Sequence, residues 1–400
     1  MILREALQKI LATQTPPAAP ANEVPRRLAP ELALRKEMAL VLTGIRRCGK
    51  STLQSQLMRQ SKSAFYCNFD DIRLSGMTTQ DLITWLDVFQ EIAPSGSDVF
   101  LDEVQEVEGW QRLVRTLLDA GRKVCVTGSN ASLLGVELGT KLTGRHEPRT
   151  VWPFCYSEYL DATKRRRGAE SLQAYLADGG FPGYLRERRD TLLNDLLQDV
   201  LLRDIVVRNR LRDVRHLRNL FLYLAANTGQ PVSRQTLTKS LDIPSVDETS
   251  RYLEYLRDTY LLFEAPKFSQ SFRKRVVAPP KYYVVDNGLR RIVSPQATPD
   301  RGRSLENAIA MEFLRRGEPP CYAAERDSWE CDFVTRDTVW QACWQLDEEN
   351  KLREIRGLLE AKKQTRAKRM VILTRDQKQV LHEGEGDAAI EVLPAWEWLA

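Results

Sequence analysis

Residues 44–51, GIRRCGKS, fit the pattern GxxxxGK[ST] at every fixed position. Each fixed residue has a task on a nucleoside triphosphate. The glycines let backbone N–H groups curl around the β-phosphate, Lys50 brings a point charge to the β- and γ-phosphates, and the Ser51 hydroxyl can ligand Mg²⁺. The expected nucleotide contacts are Gly44, Ile45, Arg46, Arg47, Cys48, Gly49, Lys50, Ser51 and Thr52. Residues 98–103, DVFLDE, are an apolar run ending in two carboxylates. Beside a phosphate loop this reads as a Walker B strand, in which Asp102 joins Ser51 in holding Mg²⁺ and Glu103 orients the attacking water. An acidic turn after a core strand would carry the same letters. The phosphate loop upstream favours the catalytic reading.

These side chains need a scaffold, and the sequence supplies its elements. Residues 38–43 read as a buried strand, and residues 51–58 as a helix whose N-terminus faces the anion. Residues 64–69 read as a further strand, followed by a helix over 79–89. That strand falls between the phosphate-loop strand and the Asp102 strand, the layout of the additional-strand NTPases that use a catalytic glutamate. A helix over 110–118 is stopped by Gly121. A strand over 123–130 ends in Ser129 and Asn130, where Asn130 either senses the γ-phosphate or caps the next helix. Arg145 is a candidate arginine finger, or a solvated surface arginine, ahead of a strand over 149–154. The expected catalytic set is Glu103, Lys50, Arg145 and Asn130.

The runs at 44–51, 101–110, 127–130, 142–145 and 152–154 together resemble one large group of proteins. It comprises the bacterial and archaeal AAA-type ATPases that carry a C-terminal domain of unknown function. The resemblance continues at Gly179-Gly180-Phe181-Pro182-Gly183-Tyr184, at residues 203–206 and at Ser304-Leu305-Glu306-Asn307. It implies ATP with Mg²⁺, an ATPase core, a winged-helix region, and a C-terminal module similar to restriction-endonuclease folds. No guanine-reading Asn-Lys-x-Asp motif argues otherwise.

Composition agrees with a multi-domain protein. The chain has 400 residues, 42% hydrophobic and 28% charged, with a net charge of +5. There is no signal peptide and no apolar run long enough to span a bilayer, so a cytoplasmic location is expected. Seven cysteines are scattered without a CxxC pair, which suits reduced thiols, and three histidines make a Cys/His zinc site improbable. Residues 12–27, with Pro16, Pro17, Pro20 and Pro25, read as a linker or extended arm after a short helix over 2–11. The basic run at 164–167 reads as a solvated turn.

Residues 201–290 carry 16 Lys and Arg against nine Asp and Glu, so the chain's positive charge is concentrated there. Helical patterns over 217–226, 232–241 and 245–257, then strands over 261–264 and 281–285, make a winged helix-turn-helix. Arg251 on its third helix and Arg273, Lys274 and Arg275 at the wing tip are the candidate contacts to double-stranded DNA. Asp247, Glu248 and Glu254 on that helix weigh instead toward a protein dock or a lid.

Glu306, Asp332 and the strand over 342–347 fall where a PD-(D/E)XK nuclease keeps its metal carboxylates and its Glu-x-Lys. That last position reads Gln345-Leu346-Asp347, so a degenerate nuclease fold is expected. The fold class is α/β: a P-loop parallel sheet with flanking helices, then a winged helix-turn-helix, then a small nuclease-like module. Expected boundaries are 1–28 for the helix and arm, 29–205 for the ATPase, 206–295 for the winged helix and 296–400 for the module. The function expected is ATP hydrolysis that controls the C-terminal half. The alternatives are a slow nucleotide-gated protein switch in a defence or toxin–antitoxin setting, and an ATP-controlled DNA nuclease. Homo-oligomers and a protein partner are compatible with the sequence; a membrane partner is not expected.

Overall fold

A computed structural model describes residues 2–19, 22–129, 142, 144–211, 213–293, 300–326, 328–383 and 388–400. The chain divides into two compact units, Met1–Trp152 and Pro153–Ala400.

The first unit is built on a parallel sheet. Its strands are β1 (Ala39–Thr43), β2 (Ala64–Asn68), β3 (Asp98–Asp102), β4 (Val124–Thr127) and β5 (His146–Thr150), in the order β2-β3-β4-β1-β5. Parallel strands covered on both faces read as continuous apolar runs, and β1, Ala-Leu-Val-Leu-Thr, is buried throughout. The helices are α1 (Arg4–Thr13), α2 (Lys50–Met58), α3 (Thr79–Ile92) and α4 (Trp110–Asp119). A capping box between Thr78 and Asp81 starts α3. Its Trp85 and Phe89 rings stack at 5.4 Å, and Phe65 of β2 meets Phe89 edge-on at 4.8 Å.

Two expectations change here. The strand standing in space between β1 and β3 is β4, paired with both, whereas β2 lies at the sheet's edge. Proximity in sequence had pointed to β2. The last strand occupies 146–150 rather than 149–154, because its pairing with β1 runs from Ala39↔His146 to Thr43↔Thr150. The expected N-terminal helix is present as α1 and packs on this unit. Leu7, Ile10 and Leu11 of α1 join the sheet's core, and Gln14 donates to the Asn68 carbonyl at 3.0 Å.

The second unit opens with four helices, α5 (Tyr156–Thr163), α6 (Ala169–Asp178), α7 (Pro182–Glu187) and α8 (Asp190–Asp199), and a π-helical stretch at Val200–Val207. Helices α9 (Val214–Ala226), α10 (Arg234–Ser240) and α11 (Val246–Asp258) follow. Ser233 and Ser245 cap α10 and α11. Strand β6 (Leu262–Ala265) pairs antiparallel with β7 (Lys281–Val284), and the connection between them holds a short helix, α12 (Phe272–Val277). Arg273, Lys274 and Arg275 therefore lie on a helical turn rather than in a bare hairpin tip. Helices α13 (Asn287–Val293) and α14 (Arg301–Arg315) lead to a six-stranded mixed sheet. Its strands are β8 (Cys321–Glu325), β9 (Trp329–Val334), β10 (Thr338–Ala342), β11 (Arg369–Thr374), β12 (Gln379–Glu383) and β13 (Ala388–Pro394). Helix α15 (Lys351–Thr365) packs on it, and α16 (Ala395–Trp398) ends the chain's described elements. Among the described residues, no helix is long and apolar enough to cross a membrane.

Candidate nucleotide site

The carboxyl ends of β1, β3 and β4 meet at one edge of the parallel sheet, since Leu42 pairs with Thr127 and Leu101 with Val126. The loop 44–49 leaves β1 there and turns directly into α2. Gly44 holds φ +137°, and a Cβ on it would lie 2.1 Å from the Val151 carbonyl oxygen. Only glycine lets the loop pass so close to the backbone after β5. Gly49, at φ +102°, would bring a Cβ to 2.8 Å from the Arg26 guanidinium.

Arg26 was not among the expected site residues. Its buried guanidinium donates to the Cys48 carbonyl at 2.8 Å and the Trp152 carbonyl at 2.6 Å, bracing the loop from beneath. Its backbone N–H donates to Gln56 of α2 at 3.0 Å. A proline- and alanine-rich segment offered no sequence signal for this. Cys48 packs inside the loop, where burial pushes its thiol pKa up, and its Sγ donates to the Val151 carbonyl at 3.1 Å. Ile45 is buried, and Arg46, Arg47 and Thr52 lie at the loop's surface.

Lys50 is buried. Its ammonium donates to the carbonyls of Gly44 at 3.0 Å and Ile45 at 3.2 Å, so it already lies across the mouth of the loop. Ser51 Oγ donates to Asp102 Oδ1 at 3.3 Å. Asp102, buried at the end of β3, is also bonded by the hydroxyls of Thr127 and, at 3.1 Å, Tyr66. Burial and the neighbouring Asp102 carboxylate hold the Tyr66 phenol well above its ordinary pKa, so it stays a donor. Glu103 follows in a left-handed conformation, φ 50°, ψ 48°. Its N–H donates to Thr127 Oγ1 at 3.0 Å, and the Gln105 amide donates to its carboxylate at 2.5 Å. Gln105 also reaches Ser129 Oγ at 3.5 Å. Thr127, Tyr66 and Gln105 are thus supporting residues that the motifs alone did not reveal.

The donor set fits a magnesium nucleotide. A glycine cradle at a helix N-terminus, a lysine across it, and a hydroxyl beside a buried carboxylate are the groups that phosphate and Mg²⁺ require. Asn130 lies outside the described residues. Arg145 does not join the others. It precedes β5 at the amino end of the sheet, its carbonyl accepts from Ala39 N–H, and its guanidinium pairs with Asp119 and the Glu37 carbonyl. The length of β1, roughly 13 Å, separates that end from the loop.

The remaining candidates lie in the second unit. Arg251 on α11 and Arg273, Lys274 and Arg275 on α12 are all exposed. Arg275 shares a cleft of about 540 Å³ with Val246 of α11. Glu306 on α14 and Asp332 on β9 do converge. The residue facing Asp332 across the β9–β10 ladder is Gln341, whose Oε1 accepts from the Asp332 N–H at 2.7 Å. The expected Gln345-Leu346-Asp347 lies beyond that strand, which ends at Ala342.

Residues 36–160 match the AAA domain family, and residues 169–300 match a domain of unknown function, DUF8612. An uncharacterized protein of Haemophilus influenzae is 31% identical over 318 residues, covering 74% of this chain and 79% of that protein. An uncharacterized protein of Methanocaldococcus jannaschii is 29% identical over 399 residues, covering 92% of this chain and 89% of that protein. Among solved structures, Cdc6p from Pyrobaculum aerophilum aligns with a TM-score of 0.29 and 15% identity, covering 68% of this chain and 92% of that one. With an AAA domain around its phosphate loop and this extent of identity to the Haemophilus influenzae protein, the chain belongs to the family of that protein.

Proposed function

We propose that this protein is a Mg²⁺-dependent ATPase whose nucleotide state acts on the C-terminal half of the chain. The observation that carries the reading is the meeting of Lys50, Ser51, Asp102 and Glu103 at one sheet edge. Lys50 turns from the loop carbonyls to the β- and γ-phosphates. Ser51 and Asp102 hold Mg²⁺, which neutralises charge on the phosphates when bound. Glu103, steadied by Gln105, orients the water in line with the γ-phosphate and draws off its proton. Arg145 faces away from its own loop, so a role as arginine finger falls to it only across a contact between two copies.

Helices α9 to α11 with β6 and β7 are read as a winged helix-turn-helix, and the exposed Arg251, Arg273, Lys274 and Arg275 as its contacts to double-stranded DNA. One observation favours a protein partner instead: Phe272, Val276 and Val277, on the same short helix as the basic run, are 71%, 66% and 76% exposed. Steady-state ATP hydrolysis by wild type and Glu103→Gln, each with and without duplex DNA, decides between these readings. The expected result is turnover in Mg²⁺ that DNA accelerates and that Glu103→Gln lowers by about 10²–10⁴-fold while ATP still binds. Unaltered turnover in Glu103→Gln removes the site assignment. Indifference to DNA leaves the protein-switch reading.

A further inference from the structure

Outside the nucleotide site, the most unusual group in the molecule is Lys281 on β7. Its side chain is wholly buried. Its ammonium stands 3.0 Å from Glu306 Oε1, 2.8 Å from Glu330 Oε1 and 3.0 Å from Asp332 Oδ1. It donates a hydrogen bond to Glu306 and another to Asp332, and pairs with Glu330, whose side chain is 44% exposed, as an ion only. Two of these carboxylates are themselves fixed. Tyr283 donates to Glu306 at 2.8 Å, and the Ala342 N–H donates to Asp332 Oδ2 at 3.0 Å. All three line a cleft of about 1090 Å³.

Two largely buried carboxylates, Glu306 and Asp332, with the exposed Glu330 beside them, are costly without a cation. Metal ions would draw such oxygens in to about 2.0–2.6 Å. Here they stand at ammonium distances, and among the described residues no group of three or more His, Cys, Asp or Glu is arranged to hold a metal. The carboxylates hold the Lys281 pKa well above its ordinary value, against the pull of burial.

We propose that the Lys281 ammonium is the resident cation of this acidic centre, tethered where a divalent metal would otherwise sit, so that the centre takes up a metal only when the ammonium is removed. Gln341 fits this arrangement, because a neutral amide beside Asp332 adds no further negative charge for the lysine to balance.

The test is Mn²⁺ binding to the full chain without nucleotide, read by electron paramagnetic resonance, together with thermal unfolding in Mn²⁺ and in EDTA. Lys281→Met is expected to bind one Mn²⁺ per chain that wild type does not, and to unfold at a higher temperature in Mn²⁺ than in EDTA. Adding Asp332→Asn to that variant is expected to abolish both effects. Lys281→Arg, which keeps the charge, is expected to gain no metal. Equal Mn²⁺ binding by wild type and Lys281→Met overturns the proposal. So does a Lys281→Met protein that stays unfolded with and without Mn²⁺, because the metal must then have failed to replace the ammonium.

Discussion

Arg26 shows how much of a phosphate loop rests on residues outside its motif. Two backbone carbonyls, of Cys48 and Trp152, depend on its guanidinium. Arg26→Ala removes a donor from each, and from the buried Cys48 carbonyl in particular, a loss that costs about 1–3 kcal/mol. Chemical denaturation of the purified variant is expected to show that loss, and nucleotide titration a weaker affinity for ATP. Gly49 belongs to the same arrangement, since a side chain there collides with the guanidinium. At this scale the sequence was most legible where motifs have fixed spacing. Lys50, Ser51, Asp102 and Glu103 were named because the loop is local and the strand end is marked by charge, and the fold brings them together. Arg26, Tyr66, Gln105 and Lys281 were not, because each acts through partners fixed only by tertiary packing. Lys281 reads as an ordinary strand residue until β7 comes up against α14 and β9.

Among the elements, α13 carries a titration of its own. Asp286 precedes it and accepts from the N–H groups of Gly288 at 2.8 Å and Leu289 at 3.2 Å. The same carboxyl accepts from Gly180, between α6 and α7, at 2.6 Å. Burial raises its pKa from 3.8 to about 6, outweighing those three bonds. Between these values the folded chain holds a proton that the unfolded chain has released. Stability from this group therefore falls as pH rises from about 4 to about 6, and is level above. Asp286→Asn is expected to flatten that part of the stability profile, measured as unfolding midpoints across the pH series. Element existence was well read from sequence: the helices near 79, 110, 217 and 246 lie close to where periodicity and caps placed them. Spatial order was not. Nothing in the letters of β2 or β4 says which inserts beside β1, because both are short apolar runs with similar burial. The strand expected over 342–347 was displaced for a similar reason. Apolar residues continue past Ala342, while pairing with β9 stops short of it.

At the scale of the whole molecule, charge is the property that reaches farthest. The basic surplus of residues 201–290 includes three consecutive cations on α12, all exposed. If duplex DNA is the partner, replacing Arg273, Lys274 and Arg275 together with alanine weakens binding to all sequences alike. It also lowers the slope of log affinity against log salt by about 0.9 for each phosphate that the protein no longer neutralises. Fluorescence anisotropy over a salt series measures both. An unchanged slope would assign those cations to another role.

Glu103 sits in a backbone conformation that glycine adopts freely and glutamate does not. Glu103→Gly is therefore expected to raise stability by about 0.5–1 kcal/mol while turnover is lost. Thermal unfolding and ATP hydrolysis on the same preparation would show the two moving in opposite directions. A campaign that selects this protein for heat resistance alone would drift toward glycine at position 103, and so enrich robust but inert variants. The strained glutamate makes stability and catalysis competing traits at one codon.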